Sequence, residues 1–225
     1  MIPAYSPSRP RLQWAIGPVL ALLCALAQAQ PAPQPAPAEG GRTLLVMGDS
    51  LSAGYGMAAS ESWVSLLADE LAASHPGWRV VNASISGETT AGGAARIIGE
   101  AWRHRPDVVV IALGANDGLR GLPLREMRRN LARMIGVARH VDAGVLLVGM
   151  RMPPNLGDEY TSGFERVYRD LSGLFDVPLI PFLLEPIALE ADAYQADDLH
   201  PTPAVQSRIL DHVRPALLPL LDQEP

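Results

Sequence analysis

Short apolar runs alternate with longer segments of mixed polarity from about residue 42 onwards. The short runs carry few charges and are rich in Val, Leu and Ile, which suits the buried centre of a parallel sheet. They predict strands near 43–47, 79–83, 107–113, 144–149 and 177–180. Apolar residues spaced three or four apart predict helices over 63–71, 90–103, 124–140 and 203–218. These repeated strand–helix units predict an α/β fold of three layers, in which helices cover both faces of a five-stranded parallel sheet.

The first forty residues follow a different pattern. Two arginines precede an apolar run over 14–27, which ends in an Ala-Gln-Ala sequence. This arrangement is typical of a cleavable signal peptide, here residues 1–29. The run is shorter than the roughly 20 residues that a membrane span needs, and an uncleaved anchor is the alternative. Residues 30–41 predict a Pro/Ala-rich linker before a folded domain over 42–225. We therefore expect the mature protein in the periplasm or outside the cell.

Composition and charge narrow the possible functions. The 225 residues, of which 48% are hydrophobic and 19% charged, allow one globular domain. The 18 basic and 24 acidic residues give a formal net charge of −6 without a basic cluster, which argues against nucleic-acid binding. The histidines show no metal-ligand spacing. We expect a monomer that acts on a small molecule without a metal or other cofactor, and that does not insert into a membrane after signal cleavage.

A candidate nucleophile follows the first predicted strand, which ends abruptly on Gly48, Asp49 and Ser50. Ligands of open α/β sheets bind just beyond the carboxyl ends of the strands. A serine at this point is therefore well placed to attack a substrate. All three residues also favour turns, so this segment alone leaves open a turn without a catalytic role.

A candidate base and its acid partner lie near the C-terminus. Asp197 and His200 stand three residues apart, so their side chains can meet within a tight turn. A carboxylate that accepts from one imidazole nitrogen leaves the other free to take a proton from Ser50. Asp198 is the rival acid, but a spacing of two points the side chains apart, and we favour Asp197. A solvated loop is the alternative for so short a pattern.

Two further strand ends carry candidate donors for an oxyanion hole. The second strand runs into Gly87, which lacks a Cβ, so its backbone N–H can approach a substrate oxygen closely. The third ends before Asn116, whose side-chain amide can donate to the same oxygen. An ordinary loop glycine and an Asn–Asp turn are the alternatives. Three strands that each end in a residue suited to catalysis together favour an acyl-transfer site.

At these positions the chain resembles a known family. Four segments are similar, in order and approximate spacing, to the four sequence blocks of the SGNH hydrolases, also called GDSL esterases and lipases: 48–52, Gly87, 114–117 and 197–201. The resemblance covers roughly residues 43–221. It is strongest to a bacterial periplasmic subgroup with acyl-CoA thioesterase, lysophospholipase and arylesterase activity.

The resemblance implies a flavodoxin-like parallel five-stranded sheet between helices, and it implies roles for individual residues. Ser50 is the implied nucleophile. His200 is the implied general base and then acid, and Asp197 is the carboxylate that orients it. The implied oxyanion hole comprises the N–H groups of Ser50 and Gly87 and the side-chain amide of Asn116.

Two positions depart from the subgroup, because Ala115 and Asp198 stand where it has glycine. The methyl group of Ala115 is expected to narrow its loop slightly while leaving Asn116 in place. The turn around Asp198 is expected to differ from that of the subgroup.

The loop after the fourth strand is predicted to line an acyl groove. Met152, Pro153 and Leu156 are apolar there, where an exposed patch would otherwise be unexplained, and capping of the sheet end is the alternative. The matching loop lines the acyl groove in the subgroup. Trp63 and Trp102 are predicted to pack helices rather than to bind substrate.

The sequence therefore predicts a serine ester or thioester hydrolase that acts through an acyl-enzyme on Ser50. A carbohydrate O-acetyl esterase on the same fold is the alternative enzyme. A non-catalytic binding module is the alternative from another class, and the joint presence of Ser50, Asp197 and His200 argues against it. The sequence contains no Gly-x-Ser-x-Gly elbow, which excludes the ordinary α/β-hydrolase arrangement.

Overall fold

Five parallel strands form one sheet in the computed structural model, which describes residues 41–223. The predicted signal peptide and residues 30–40 of the predicted linker lie outside this range. The strands are β1 (Arg42–Gly48), β2 (Trp78–Asn82), β3 (Val108–Ala112), β4 (Gly144–Val148) and β5 (Leu179–Ile180). Their order in the sheet is β2-β1-β3-β4-β5. The predicted five-stranded parallel sheet is therefore confirmed.

Helices connect the strands. They are α1 (Ser50–Ala53), α2 (Trp63–Ser74), α3 (Thr90–His104), α4 (Ala115–Leu119), α5 (Leu124–His140), α6 (Asp158–Phe175) and α7 (Gln206–Leu221). The hydrophobic pattern predicts α2, α3, α5 and α7 close to these bounds. It does not predict the 18-residue helix α6, which connects β4 to β5.

The sheet lies between two apolar layers because successive side chains of a strand point to opposite faces. In β1, Leu44 and Val46 pack with the buried residues of α2 and α7. Leu45 and Met47 belong instead to the cluster formed with α3, α5 and α6. All four side chains are fully buried. A strand buried on both faces can hold an uninterrupted apolar run, as the sequence of β1 does.

The carboxyl ends of the strands share one edge of the sheet. Gly48 is paired with Ala112, so the segments after β1 and β3 leave the sheet at the same level. Crossovers bring β2 and β4 to the flanks of this pair in the same direction. The sequence-predicted site residues that follow β1, β2, β3 and β4 are therefore gathered along a single edge.

One packing prediction is only half right. Trp63, on α2, is fully buried, whereas Trp102, on α3, is 81% exposed and packs against no core cluster. Trp102 lies four residues after Ile98, which is the helical spacing, but both side chains are exposed. They therefore lie on the face of α3 that is turned away from the sheet. Within residues 41–223, no helix has both the length and the apolar character needed to cross a membrane.

Candidate active site

Ser50 is presented at the turn from β1 into α1. Asp49 is the N-cap of α1, and its side chain accepts a hydrogen bond from the backbone N–H of Leu51 at 3.1 Å. This cap starts the helix directly after the strand. Since Ser50 lies in the first turn of α1, its own backbone N–H has no acceptor within the helix. Ser50, which is half-buried, thus carries two predicted roles: its hydroxyl is the predicted nucleophile, and its backbone N–H is a predicted oxyanion-hole donor.

Asp197, His200 and Ser50 form a continuous chain of hydrogen bonds. His200 Nδ1 lies 2.6 Å from Asp197 Oδ2, and His200 Nε2 lies 2.8 Å from Ser50 Oγ. With the carboxylate as acceptor, Nδ1 carries the ring proton and Nε2 is free to accept from the serine hydroxyl. The backbone N–H groups of Leu199 and His200 also donate to Asp197 Oδ1, both at 3.0 Å. These hydrogen bonds, led by those from His200, lower the pKa of Asp197 to about 2.

The neighbouring Asp198 has a different environment. Its backbone has φ 57°, in the left-handed region that favours glycine and that aspartate tolerates better than most residues. Its N–H donates to the carbonyl of Gln195 at 3.0 Å, and its side chain is exposed at the cavity mouth. The left-handed position of this turn is therefore formed with aspartate.

The loop that carries His200 is tied to the segment that follows Ser50. The Gln195 side-chain amide donates to the carbonyl of Tyr55 at 2.9 Å and to that of Pro201 at 3.0 Å. The Tyr55 ring lies against the imidazole of His200, with 4.5 Å between centroids and an angle of 39° between planes. These contacts join two segments that are about 150 positions apart in the chain, so they hold the base against the nucleophile.

Gly87 and Asn116 lie at the same cavity as Ser50. Gly87 has φ 78°, which a residue with a Cβ rarely adopts, and its carbonyl accepts from Arg120 at 3.0 Å. The Asn116 amide donates to the carbonyl of Glu88 at 3.1 Å and makes a longer contact of 3.4 Å with Asp49. The first bond orients the amide and fixes one of its hydrogens. The second hydrogen is held only weakly by Asp49.

Asp49 is a buried carboxyl beneath the site, with 2% of its surface exposed. Burial raises its pKa to about 6, although the hydrogen bond from Leu51 and the nearby His200 act in the opposite direction. Because the side chain touches both the start of α1 and the amide of Asn116, its charge acts on two of the predicted catalytic elements.

A cavity of about 820 Å³ opens over Ser50 and extends past the ends of β4 and β5. Most of its lining side chains are apolar: Leu51, Ala115, Leu119, Met150, Met152, Pro153, Phe182, Leu184, Ala188 and Leu199, with the rings of Tyr55 and Tyr194. Met152 and Pro153 are thus part of the cavity lining, and Met152 is also a buried member of the core layer that contains α6. Leu156 does not line the cavity and instead packs against the core layer that contains α6.

Several contributors to this site were not identified from the sequence. Tyr55 and Gln195 act through contacts between distant segments, which no local pattern reveals. Phe182 follows β5, and its position after a strand is the one signal that could have marked it. Arg151 precedes the apolar residues of the loop after β4, and the apolar pattern of that loop gives no signal for a cationic side chain. Asp49 was considered only as a turn residue.

The GDSL-like Lipase/Acylhydrolase family matches residues 46–208, a span that contains the whole Ser50–His200–Asp197 chain of hydrogen bonds. The protein belongs to this family, and it is a GDSL-type carboxylic ester hydrolase. The family resemblance predicted from the sequence is therefore confirmed.

Characterised relatives lie at substantial identity. The chain is 47% identical to Esterase TesA of Pseudomonas aeruginosa over 180 residues, which cover 80% of this chain and 90% of that protein. It is 39% identical to Thioesterase 1/protease 1/lysophospholipase L1 of Escherichia coli over 186 residues, covering 81% and 86% respectively. The crystal structure of the psychrotrophic esterase EstA from Pseudoalteromonas sp., inhibited by monoethylphosphonate, is similar with a TM-score of 0.77 at 36% identity, covering 81% of this chain and all of that one.

Proposed function

We propose that this hydrolase cleaves acyl esters and thioesters through an acyl-enzyme on Ser50, with His200 as general base and acid and Asp197 as its orienting carboxylate. The single observation that carries the proposal is the unbroken hydrogen-bond chain from Asp197 through His200 to Ser50, at the floor of an apolar cavity. A serine hydroxyl is a weak nucleophile until an adjacent base takes its proton, and Nε2 of His200 is within reach to do so.

In the first half of the reaction, Ser50 Oγ attacks the acyl carbonyl carbon while its proton passes to Nε2 of His200. The carbonyl oxygen becomes an oxyanion, which accepts from the N–H groups of Ser50 and Gly87 and from the Asn116 amide hydrogen that Asp49 holds only weakly. Donors that are oriented before the charge appears are each worth about 3 kcal/mol in such sites. Asp197 stabilises the imidazolium without taking its proton. His200 then protonates the leaving alcohol or thiol, and an acyl-Ser50 ester remains.

In the second half, a water molecule replaces the leaving group. His200 takes a proton from the water, which attacks the acyl-enzyme carbonyl through the same oxyanion site. The second tetrahedral intermediate collapses, Ser50 Oγ regains the proton from His200, and the carboxylic acid is released. The chain's own side chains supply every proton transfer in this cycle.

The apolar lining supports a substrate with a hydrocarbon acyl group of several carbons, with Met152 and Pro153 among its contacts. Each buried methylene contributes about 0.8 kcal/mol, so a chain of moderate length gains substantial affinity over acetate. The names of the relatives support ester, acyl thioester and lysophospholipid substrates. We also propose that the protein is exported, because residues 1–29 have the pattern of a signal peptide.

Removal of the Ser50 hydroxyl tests the proposal. Ser50→Ala should lower kcat for p-nitrophenyl butyrate by a factor on the order of 10⁶, as expected when one member of a catalytic triad is lost. It should also abolish labelling by a fluorophosphonate. Ser86→Ala is the matched control, because Ser86 lines the same cavity and is exposed. Labelling that depends on Ser86 instead of Ser50 would contradict the assignment. A panel of acyl esters from acetate to palmitate, with acyl-CoA, lysophospholipid and acetyl-xylan, then ranks the substrate classes.

A further inference from the structure

Arg151 is the one cationic side chain among the described residues that line the cavity. It follows β4, and its guanidinium carbon lies 5.3 Å from the centroid of the Phe182 ring, which follows β5 and lines the same cavity. An arginine that stacks on an aromatic ring keeps the N–H groups of its planar guanidinium available at the edge of the group. The stack thus holds a flat, charged donor at the β4–β5 end of the apolar lining.

No carboxylate in the described part of the chain, residues 41–223, forms an ion pair with this guanidinium. Within residues 41–223, Arg96, Arg208 and Arg214 differ from it, since each is paired closely with glutamate. None of the ion pairs in the described part of the chain involves Arg151, although the protein carries more acidic than basic residues. Arg151 is exposed and lines the cavity, so a ligand bound there can reach its guanidinium.

Negative and positive side chains lie on opposite sides of the cavity. Asp198 lines the side of His200, and Asp197 lies directly behind the imidazole. An anionic group of a bound substrate is repelled there and attracted to Arg151. Ser50 follows β1 and Arg151 follows β4, which are two strands apart in the sheet order. At roughly 4.8 Å per strand, this places the backbone of Arg151 about 10 Å from that of Ser50.

We propose that Arg151, held on Phe182, forms an anion-binding subsite, and that the preferred substrates are acyl esters carrying a carboxylate or phosphate several bonds away from the carbonyl carbon. This inference rests on the proposed function of Ser50. A carboxylate or phosphate matches the planar fork in a bidentate manner, which makes such charge-assisted bonds stronger than neutral ones. The anion can belong to the far end of the acyl chain or to the leaving group.

Two pairs of substrates distinguish these sources. The p-nitrophenyl monoester of suberic acid is compared with p-nitrophenyl octanoate, which lacks the distal carboxylate. Octanoylglycerol phosphate is compared with octanoylglycerol, which lacks the phosphate. In at least one pair, Arg151→Gln should lower the ratio of kcat/KM for the charged member to that for the neutral member by about tenfold. Arg151→Lys should retain part of this ratio, since it keeps the charge but not the fork.

The control is Arg166→Gln, which makes the same change in net charge on α6, away from the cavity. It should leave both ratios unchanged, which excludes a general electrostatic effect. A loss confined to the suberate pair assigns the anion to the acyl chain, and a loss confined to the phosphate pair assigns it to the leaving group. Ratios that Arg151→Gln leaves unchanged in both pairs overturn the subsite. Turnover of p-nitrophenyl octanoate by the wild-type protein would still support the esterase proposal in that case, whereas its absence would count against that proposal itself.

Discussion

At the scale of single residues, two adjacent aspartates show how local geometry separates a catalytic candidate from a surface group. Asp197 accepts three hydrogen bonds, one from the His200 ring and two from backbone N–H groups, and its pKa is lowered to about 2. Asp198 occupies a left-handed turn with its side chain exposed. The spacing argument that favoured Asp197 holds because a separation of three brings the two side chains to one side of the turn.

Substitution of each aspartate by asparagine tests this difference. Asp197→Asn should lower kcat by a factor on the order of 10⁴, because the amide no longer fixes the tautomer of His200 or stabilises its positive charge. Asp198→Asn, as the matched control, should lower kcat less than about tenfold, since exposed charges contribute little. Steady-state kinetics with a p-nitrophenyl ester compare the two. The reverse ranking would transfer the orienting role to Asp198.

The sequence predicts the three residues of the hydrogen-bond chain but not the side chains that hold it in place. Ser50, Asp197 and His200 belong to residue types and spacings with a chemical meaning, so they can be recognised one segment at a time. The contacts of Tyr55 and Gln195 depend on how two distant loops approach each other. That approach follows from the packing of the whole sheet, and no local pattern encodes it.

At the scale of elements, α3 and α4 are joined by a buried carboxylate beside the predicted oxyanion hole. Asp117 on α4 accepts from the backbone N–H of Thr90 at 2.7 Å and from its hydroxyl at 2.6 Å, at the start of α3. Asn116, the preceding residue, donates to the carbonyl of Glu88. Two consecutive residues of α4 therefore fix the segment that leads from Gly87 into α3.

This connection predicts a stability change. Asp117→Asn should lower the free energy of unfolding by about 2 kcal/mol, because the amide NH₂ then faces one of the two Thr90 donors in a buried site. It should also lower kcat, since the segment that carries Gly87 loses an anchor. Urea denaturation and ester turnover measure the two effects. Asp158→Asn, in the exposed first turn of α6, should lower the free energy of unfolding by less than about 1 kcal/mol. If the two substitutions lower the free energy of unfolding equally, Asp117 does not anchor this segment.

The elements that the sequence did not predict are also informative. Helix α6 buries Phe164, Val167, Tyr168 and Leu171, which follow the helical spacing, but polar residues and two glycines dilute this pattern. Leu156 precedes α6 and packs beneath it rather than into the cavity. An apolar residue in a loop after a strand can serve either the substrate or the core. The presence of α6 decides this for Leu156, and it cannot be seen from the loop alone.

At the scale of the whole molecule, the order of layers follows from the strand sequences. A run such as that of β1 has no polar face, so it requires helices on both sides, and the alternation of strands with helical segments supplies them. The parallel sheet also brings the candidate catalytic residues together, because the carboxyl ends of its strands share one edge. The predicted α/β architecture was accessible for these reasons, whereas the electrostatics of buried groups such as Asp49 required the assembled molecule.

Asp49 predicts how the stability of the molecule depends on pH. Burial raises its pKa from 3.8 to about 6, so between these values the folded state binds a proton that the unfolded state has lost. The free energy of unfolding should therefore fall as the pH rises through this window, with Asp49 contributing about 3 kcal/mol to the decrease. Asp197 acts in the opposite sense, but its stabilisation is lost only as the pH falls towards about 2. Asp49→Asn cannot ionise, so its stability relative to the wild type should rise by about 2 kcal/mol between about pH 4 and pH 7. Urea denaturation at both pH values measures this difference, and Asp198→Asn controls for the change in net charge. Parallel stability curves for the wild type and Asp49→Asn would show that the carboxyl of Asp49 does not titrate in this range.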